Sequence, residues 1–471
     1  MGRNNTPFDN EKELNELLAQ YEESVQSGKS VYFDGEQLAF IADRYATNRE
    51  FDKAQTAISY GLKLHPGHTD LLMEQVYLYL DTNRLAEAKA LTESITDCQT
   101  VEYKLMKAEI LLNEGRLDEA RELLDSIGNH NDLNNILDVA YLYIDMGYAR
   151  EALPWVENGI GKYEDNEAFL AAACDCYRGI SEKADKAIEY HNKLIDINPY
   201  NPLYWTGLSK CYFNIENYEQ AIEAADFAIT ADETFGEAHV MKAHCYFQLN
   251  NLEKTIEEYE ASVRYKSFTP EYAYLCIGLA CCNNELWADA VRYFDQALEA
   301  CDLATEASSI LFDIYYHKTY ACVKMSHAQE AFEASQTACQ LAPHDANIHL
   351  LQGVALLMLN QADQAQEVWA KALSLSPDME TVMQIANFNL EHNYIAQAHD
   401  LYEAVFHNMP DYPGLPEKLS ITNLMLGRYK DFYFFNQLAE SPVKMEVIRD
   451  MIAKTGDAQL IEEFERFIEQ L

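Results

Sequence analysis

A small residue, an alanine and a proline recur along this sequence at intervals of twelve residues. The triplets are Ala42, Ala54 and Pro66 near the start, then Thr319, Ala331 and Pro343, then Gly353, Ala365 and Pro377. The apolar residues between these positions follow helical spacing. Because a proline cannot continue a helix, each triplet predicts two helices that cross closely, followed by a helix end. Such a chain is restricted to repeated helical hairpins.

The alanine of the triplet defines a series of units. It occurs at Ala54, Ala88, Ala120, Ala152, Ala187, Ala221, Ala290, Ala331, Ala365 and Ala398, and its place is taken by Thr255 and Phe432 in two further units. Counting nineteen residues back from each places the unit starts near residues 35, 69, 101, 133, 168, 202, 236, 271, 312, 346, 379 and 413. The sequence therefore predicts about twelve units of about 34 residues.

The segment LYWTGLSKCYFNIENYEQAIEAADFAITAD shows the content of one unit. Trp205, Leu208 and Tyr212 lie on one face of a first helix, and a second apolar stripe begins at Tyr218, after the polar NIEN break. The small residue of each helix allows the two backbones to approach, and a leucine there would overpack the crossing by roughly 1–3 kcal/mol. The prolines that would end second helices are Pro66, Pro199, Pro343, Pro377 and Pro410.

This pattern resembles the tetratricopeptide repeat, a helix–turn–helix unit of 34 residues. The residues that match are Trp205, Leu208, Ser209, Tyr212, Tyr218, Ala221 and Ala228 in one unit, and Gly353, Ala365, Trp369, Ala372 and Pro377 in another. The resemblance implies an all-α fold, a right-handed α-solenoid superhelix of stacked antiparallel helix pairs. The pattern departs from the family at Thr255, at Phe432 and in the units that lack the final proline.

The ends of the array are predicted from their composition. We expect a flexible N-terminus and a capping helix over residues 1–34, about twelve repeats over 35–442, and a C-terminal capping helix pair over 443–471. Residues 1–10 would be flexible, and EKELNELLAQYEESVQS would form the acidic capping helix. Terminal units need a polar outer face because no neighbour covers them.

One interval, from 271 to 312, has 41 residues instead of about 34. Seven extra residues make about two helical turns and keep the same face buried. We therefore expect residues 305–325 to form a lengthened first helix. The alternative is a longer loop through CDLATEASS.

Charge limits the possible partners. The 77 acidic and 35 basic residues give a formal net charge of −42, which repels nucleic acid and anionic lipid. A protein or peptide partner would be neutral or basic at the contact. No apolar run long enough to cross a membrane is present, and the eleven cysteines are mostly scattered singly within helical patterns, so we expect a cytoplasmic protein with reduced core thiols.

The sequence contains no convincing catalytic, cofactor-binding or metal-binding motif. Cys174 and Cys176, or Cys281 and Cys282, are too close together on a helix to match zinc spacing. No nucleophile elbow or dinucleotide fingerprint is present. The sequence therefore predicts no cofactor, no metal and no enzymatic activity.

The resemblance implies that partners bind on the concave face, which the first helices line. The residues that follow the small position of each first helix are Asp43, Tyr77, Glu109, Tyr141, Lys210, His244, Leu279, Tyr320, Val354 and Asn387. With Tyr316 on the lengthened helix, our candidate groove residues are Tyr77, Tyr141, Lys210, His244, Tyr316, Tyr320 and Asn387. Tyrosines are enriched at interfaces, although these tyrosines would equally suit packing between units.

Three functions are compatible with the sequence. The leading hypothesis is a non-catalytic scaffold that binds a peptide or protein in the concave groove. The second is a regulator whose superhelix responds to a signalling peptide. The third, an enzyme, has no supporting motif.

Overall fold

The computed structural model describes residues 11–27, 31–301, 308–449 and 458–469. The chain forms two compact units, Met1–Met241 and Lys242–Leu471. Over the described residues the regular structure is helical, with no strand, which confirms the all-α class. No helix in those ranges is both long and apolar enough to cross a membrane.

The N-terminal unit begins with helix α1 (Glu11–Ser27) and continues as helix pairs. The pairs are α2 (Gly35–Thr47) with α3 (Phe51–Leu64), α4 (Thr69–Asp81) with α5 (Leu85–Thr92), α6 (Val101–Asn113) with α7 (Leu117–Asp125), α8 (Leu133–Asp145) with α9 (Ala149–Gly159), α10 (Glu167–Arg178) with α11 (Ala184–Ile197), and α12 (Pro202–Asn214) with α13 (Tyr218–Ala231). The two helices of every pair pack against each other, and each pair also packs against the next pair along the chain, so the pairs stack in order.

Helix α14 (Gly236–Gln248) spans the boundary of the two units. The pairs that follow it in the C-terminal unit are α16 (Pro270–Asn283) with α17 (Trp287–Ala300), α18 (Ser308–Lys324) with α19 (Ala328–Leu341), α20 (Ala346–Met358) with α21 (Ala362–Leu375), α22 (Met379–Glu391) with α23 (Ile395–Asn408), and α24 (Leu415–Met425) with α25 (Tyr429–Leu438); they are preceded by α15 (Leu252–Arg264). Residues 445–449 are helical, and α26 (Ala458–Ile468) is the last helix described.

The turn inside the pairs has one repeated backbone geometry. The second residue after the first helix takes a positive φ at Arg49, Asn83, Gly115, Gly147, Glu216, Asn250, Glu285, Ser326, Asn360, Asn393 and Gly427. The second helix then begins two residues later in each of these pairs. This constant turn is the physical origin of the twelve-residue interval between the small residue and the alanine.

The small residues lie at the predicted helix crossings. A Cβ atom added to Gly353 would stand 2.0 Å from the indole Nε1 of Trp369 on the second helix of the same pair. At Gly278 the added atom would stand 2.4 Å from the ring of Phe294. The aromatic ring of the second helix therefore occupies the space that a side chain on the first helix would need.

The prolines also behave as predicted. Helices α3, α11, α19, α21 and α23 each end two residues before Pro66, Pro199, Pro343, Pro377 and Pro410, respectively. Several first helices begin at a side-chain cap, as at Asp34, whose carboxylate accepts a hydrogen bond from the Gln37 amide while the Gln37 side chain accepts one from the Asp34 amide.

The ends of the chain are described in part. The predicted capping helix is α1, and its Leu17 and Tyr21 are buried with Phe33 and Tyr45 in the first core cluster. The flexible start predicted for residues 1–10 lies outside the described residues, as do residues 450–457 of the predicted last helix pair. The assignment of 1–34 and 443–471 as the ends of the array stays a prediction.

The first helix of the unit that follows the 41-residue interval is longer than its neighbours. Helix α18 has 17 residues, whereas α16 has 14 and α20 has 13. Residues 305–307 of the predicted span, and most of the alternative loop, lie outside the described residues.

Candidate functional site

The first helices of the N-terminal unit carry a row of equivalent positions, each following the small residue. We call it the acid–tyrosine row, and it consists of Asp43, Tyr77, Glu109, Tyr141, Asp175 and Lys210. All six side chains are half-buried. Carboxylates and tyrosines alternate along the row up to Lys210.

Asp175 was missed by the sequence analysis for a geometric reason. In the fifth pair, the turn contains a short 3-10 helix at Ser181–Lys183, and it lacks the positive-φ residue of the other pairs. The interval from Cys174 to Ala187 is consequently thirteen residues, so counting twelve back from the alanine selects the wrong position. The 13-residue interval between two otherwise regular helices was the only signal in the sequence.

The two row tyrosines contact different surroundings. Tyr77 packs against the buried cluster that includes Met106 and Ile110. Burial and the negative charge of Asp175 raise the pKa of the Tyr141 hydroxyl above its ordinary value. Tyr141 and Asp175 are therefore electrostatic neighbours on the successive first helices α8 and α10.

The helices that carry these tyrosines are acidic throughout. Helix α4 contains Asp70, Glu74 and Asp81, helix α8 contains Asp138 and Asp145, and neither has a lysine or arginine. Partial burial of the carboxyl group, and then the negative charge of Glu102, raise the pKa of Asp138 to about 6. A raised carboxyl pKa marks a site where a further negative charge is unfavourable and a cation would be favourable.

Two basic residues in and beside the row are paired with carboxylates. Lys210 donates to the Glu237 carboxylate, and Arg178 lies 2.6 Å from the carboxylate of Asp175. The Tyr204 hydroxyl donates to Glu167 on the neighbouring first helix. Lys210 therefore adds little net positive charge to this face.

The remaining candidate groove residues lie in the C-terminal unit and are largely engaged with their own helices. The His244 ring lies 5.8 Å from Tyr259 and 6.3 Å from Phe268, and burial lowers its pKa. Asn387 accepts a hydrogen bond of 2.8 Å from the hydroxyl of Tyr402, a core residue of the same pair. These contacts are structural and leave less of each side chain for a partner.

The tyrosines of the lengthened helix α18 sit among aromatic rings. The ring of Tyr316 lies 5.8 Å from Phe312, and that of Tyr320 lies 5.8 Å from Trp287. The Lys324 ammonium lies 5.3 Å from the Tyr320 ring centre. Val354, the next position that we expected to face the groove, is instead buried at 1% exposure in the cluster that includes Leu357, Trp369 and Ile385.

Seven of the eleven cysteines are buried, three are half-buried, and Cys98 is exposed. All eleven are free thiols, and Cys174, Cys176 and Cys211 are buried together in one cluster. Burial raises the pKa of Cys176 to about 12 and that of Cys211 to about 11, which keeps these thiols protonated and unreactive. Among the described residues, no group of three His, Cys, Asp or Glu side chains could hold a metal ion.

Comparison with known proteins identifies the repeat. Models of the tetratricopeptide repeat match residues 41–97, 102–126 and 236–268. No curated relative matches the sequence at a significant level.

Several solved structures are similar to this chain at low sequence identity. YrrB, described as a TPR protein with an unusual peptide-binding site, is 16% identical over 41% of this chain and 96% of its own, with a TM-score of 0.35. The APC/C hetero-tetramer Cut9–Hcn1 is 15% identical over 87% of this chain and 95% of its own, with a TM-score of 0.36. The C-terminal part of a TPR repeat-containing protein from Cytophaga hutchinsonii is 14% identical over 52% of this chain and 98% of its own, with a TM-score of 0.44.

The identification rests on the family models and on the helix pairs. The matched segments lie in both units, and pairs with the same turn geometry separate and follow them. The chain contains tetratricopeptide repeats.

Proposed function

We propose that the protein is a non-catalytic scaffold that binds a basic, extended protein segment along the acid–tyrosine row. One observation carries the proposal: α4 and α8, which present Tyr77 and Tyr141, contain carboxylates and no lysine or arginine. Tyrosine offers a large contact face and a polar tip, and nearby carboxylates attract ammonium and guanidinium groups.

The raised pKa of Asp138 and the pairing of Lys210 support this assignment. A bound cation would relieve the repulsion that Asp138 experiences from Glu102. Because Glu237 holds Lys210, the row does not oppose a positive partner. The net charge of −42 would also steer basic segments toward the protein.

The proposal is tested by selecting peptides from a random displayed library on the full chain. We expect the selected peptides to contain lysine or arginine beside apolar residues. Their affinity, measured by fluorescence anisotropy, should fall at least about tenfold on the double variant Tyr77→Ala/Tyr141→Ala, the size expected for two interface tyrosines.

A matched control separates this site from general attraction to an acidic protein. Tyr200 lies in the turn before α12 and is 81% exposed, so Tyr200→Ala should leave the affinity unchanged. Selected peptides that are neutral or acidic, or that bind the double variant as well as the wild type, would contradict the proposal.

A further inference from the structure

A pocket lies between α1 and the first helix pair, and the acid–tyrosine row does not contribute to it. It has a volume of 350 Å³ and is lined by Tyr21, Glu22, Val25, Tyr45, Asp52, Lys53 and Thr56. That volume is at the small end of the range for ligand sites, enough for one long side chain.

The floor of the pocket is aromatic and rigid. Tyr21 and Tyr45 are both 4% exposed, and their ring centres are 6.4 Å apart. The Tyr45 hydroxyl donates a hydrogen bond of 3.1 Å to the Glu22 carboxylate, which fixes this carboxylate at the edge of the ring. Val25, 59% exposed, adds an apolar wall.

The protein itself places a cation on this floor. The Lys53 ammonium lies 5.2 Å from the Tyr45 ring centre and 3.9 Å from Glu22, and it also pairs with Glu50. An ammonium above a tyrosine ring and beside a carboxylate is a favourable arrangement. Lys53 therefore shows which chemical group the floor accepts.

The charges around the pocket leave room for a second cation. Glu22, Glu50 and Asp52 carry three negative charges near the single positive charge of Lys53. Asp52 forms no ion pair with any residue in the described part of the chain. The Lys53 side chain is 54% exposed, so it can move aside into solvent without leaving a buried charge.

We propose that this pocket binds the alkylammonium group of a lysine side chain from a protein partner, and that Lys53 occupies the cation position until that side chain arrives. The alkyl stem of the incoming lysine would pack against Val25 and the tyrosine rings, and its ammonium would meet Glu22 and Asp52. The site stands independently of the acid–tyrosine row.

The test measures binding of the small probe Nα-acetyl-lysine-methylamide to the full chain. Binding is monitored through the NMR signals of the Tyr21 and Tyr45 rings. The variant Lys53→Met keeps most of the stem and removes the competing ammonium, so we expect it to bind the probe about fivefold more tightly than the wild type. The double variant Glu22→Gln/Asp52→Asn should bind it about fivefold more weakly.

Two controls make the result decisive. Lys89 forms an ion pair of 2.6 Å with Glu114 and does not line the pocket, so Lys89→Met removes an equivalent surface pair and should leave probe binding unchanged. The uncharged norleucine analogue of the probe should not bind. The proposal is overturned if Lys53→Met binds the probe no more tightly than Lys89→Met does, or if the norleucine analogue binds as well as the lysine probe. It is also overturned if the probe shifts the tyrosine signals of neither the wild type nor Lys53→Met.

Discussion

At the scale of single residues, the two helices of a hairpin approach so closely that one methyl group matters. Gly353 faces the indole of Trp369, whose Nε1 donates a 3.1 Å hydrogen bond to the Leu350 carbonyl. The ring is held in place by that bond and is buried at 1% exposure, so it has little freedom to move away.

Gly353→Ala should therefore destabilise the fold by about 1–3 kcal/mol, because overpacking outweighs the roughly 1 kcal/mol that alanine gains in helix propensity. Urea denaturation measures the change. Gly128→Ala, where an added Cβ meets nothing within 4 Å, is the control and should change stability little. Equal effects at both positions would show that crossing distance is not the constraint.

A buried histidine sets an acid limit. His191 is 5% exposed, neither ring nitrogen has a hydrogen-bond partner, and burial lowers its pKa to about 4. The unfolded chain takes up this proton near pH 6.5, whereas the folded chain takes it up only near 4. The stability lost through this group is zero above pH 6.5 and grows as the pH falls toward 4.

His191→Leu should remove that loss, about 3 kcal/mol between neutral pH and pH 4. The measurement is the difference between wild-type and variant unfolding free energies at pH 7 and at pH 4.5. His344→Leu, at an exposed histidine, should show no such pH-dependent gain. A constant difference at both pH values would rule out His191 as the acid-sensitive group.

Asp138 predicts the pH dependence of partner binding. Its carboxyl, with a pKa of about 6, is ionised above that pH and neutral below it. Affinity for a basic peptide should therefore fall as the pH drops from 7 to 5. In Asp138→Asn the affinity at pH 7 should already be lower and the fall between pH 7 and 5 smaller; a profile identical to that of the wild type would separate Asp138 from the site.

At the scale of helices and turns, the sequence made the hairpins predictable because their turn is constant. The small residue, the alanine and the proline could be placed since each depends on local geometry: a crossing, a three-residue turn and a helix end. The fifth pair could not be placed correctly, because its 3-10 segment adds one residue without changing the composition. The burial of Val354 depends on a cluster that includes Trp369 and Ile385 on other helices, which no local pattern encodes.

The same turn identifies a stabilising substitution. Glu285 has a φ of 56°, a region that costs an ordinary residue roughly 1–2 kcal/mol and costs glycine little. Glu285→Gly should raise the unfolding free energy by about 1 kcal/mol in urea titrations. At the equivalent turn position, Asn360→Ala should lower the unfolding free energy, because alanine tolerates a positive φ less well than asparagine. A loss of stability in Glu285→Gly would show that the glutamate has a compensating role.

At the scale of the whole molecule, charge affects folding and binding in opposite directions. A net charge of −42 repels itself in the compact state, and salt screens that repulsion. Raising NaCl from 50 to 300 mM should therefore raise the melting temperature by roughly 3–5 °C. Over the same range, affinity for a basic peptide should fall about tenfold. Changes of the same sign in both experiments would contradict this electrostatic description.

The left-handed residue in the hairpin turns has an evolutionary consequence. The positive-φ residue two residues beyond the first helix sets the direction of the second helix. A duplicated hairpin therefore keeps the same turn geometry. Duplication or loss of a segment of about 34 residues would thus lengthen or shorten the array without redesigning the copied unit. Growth by whole modules leaves this turn unchanged, whereas an added residue requires a different turn, such as the 3-10 segment of the fifth pair.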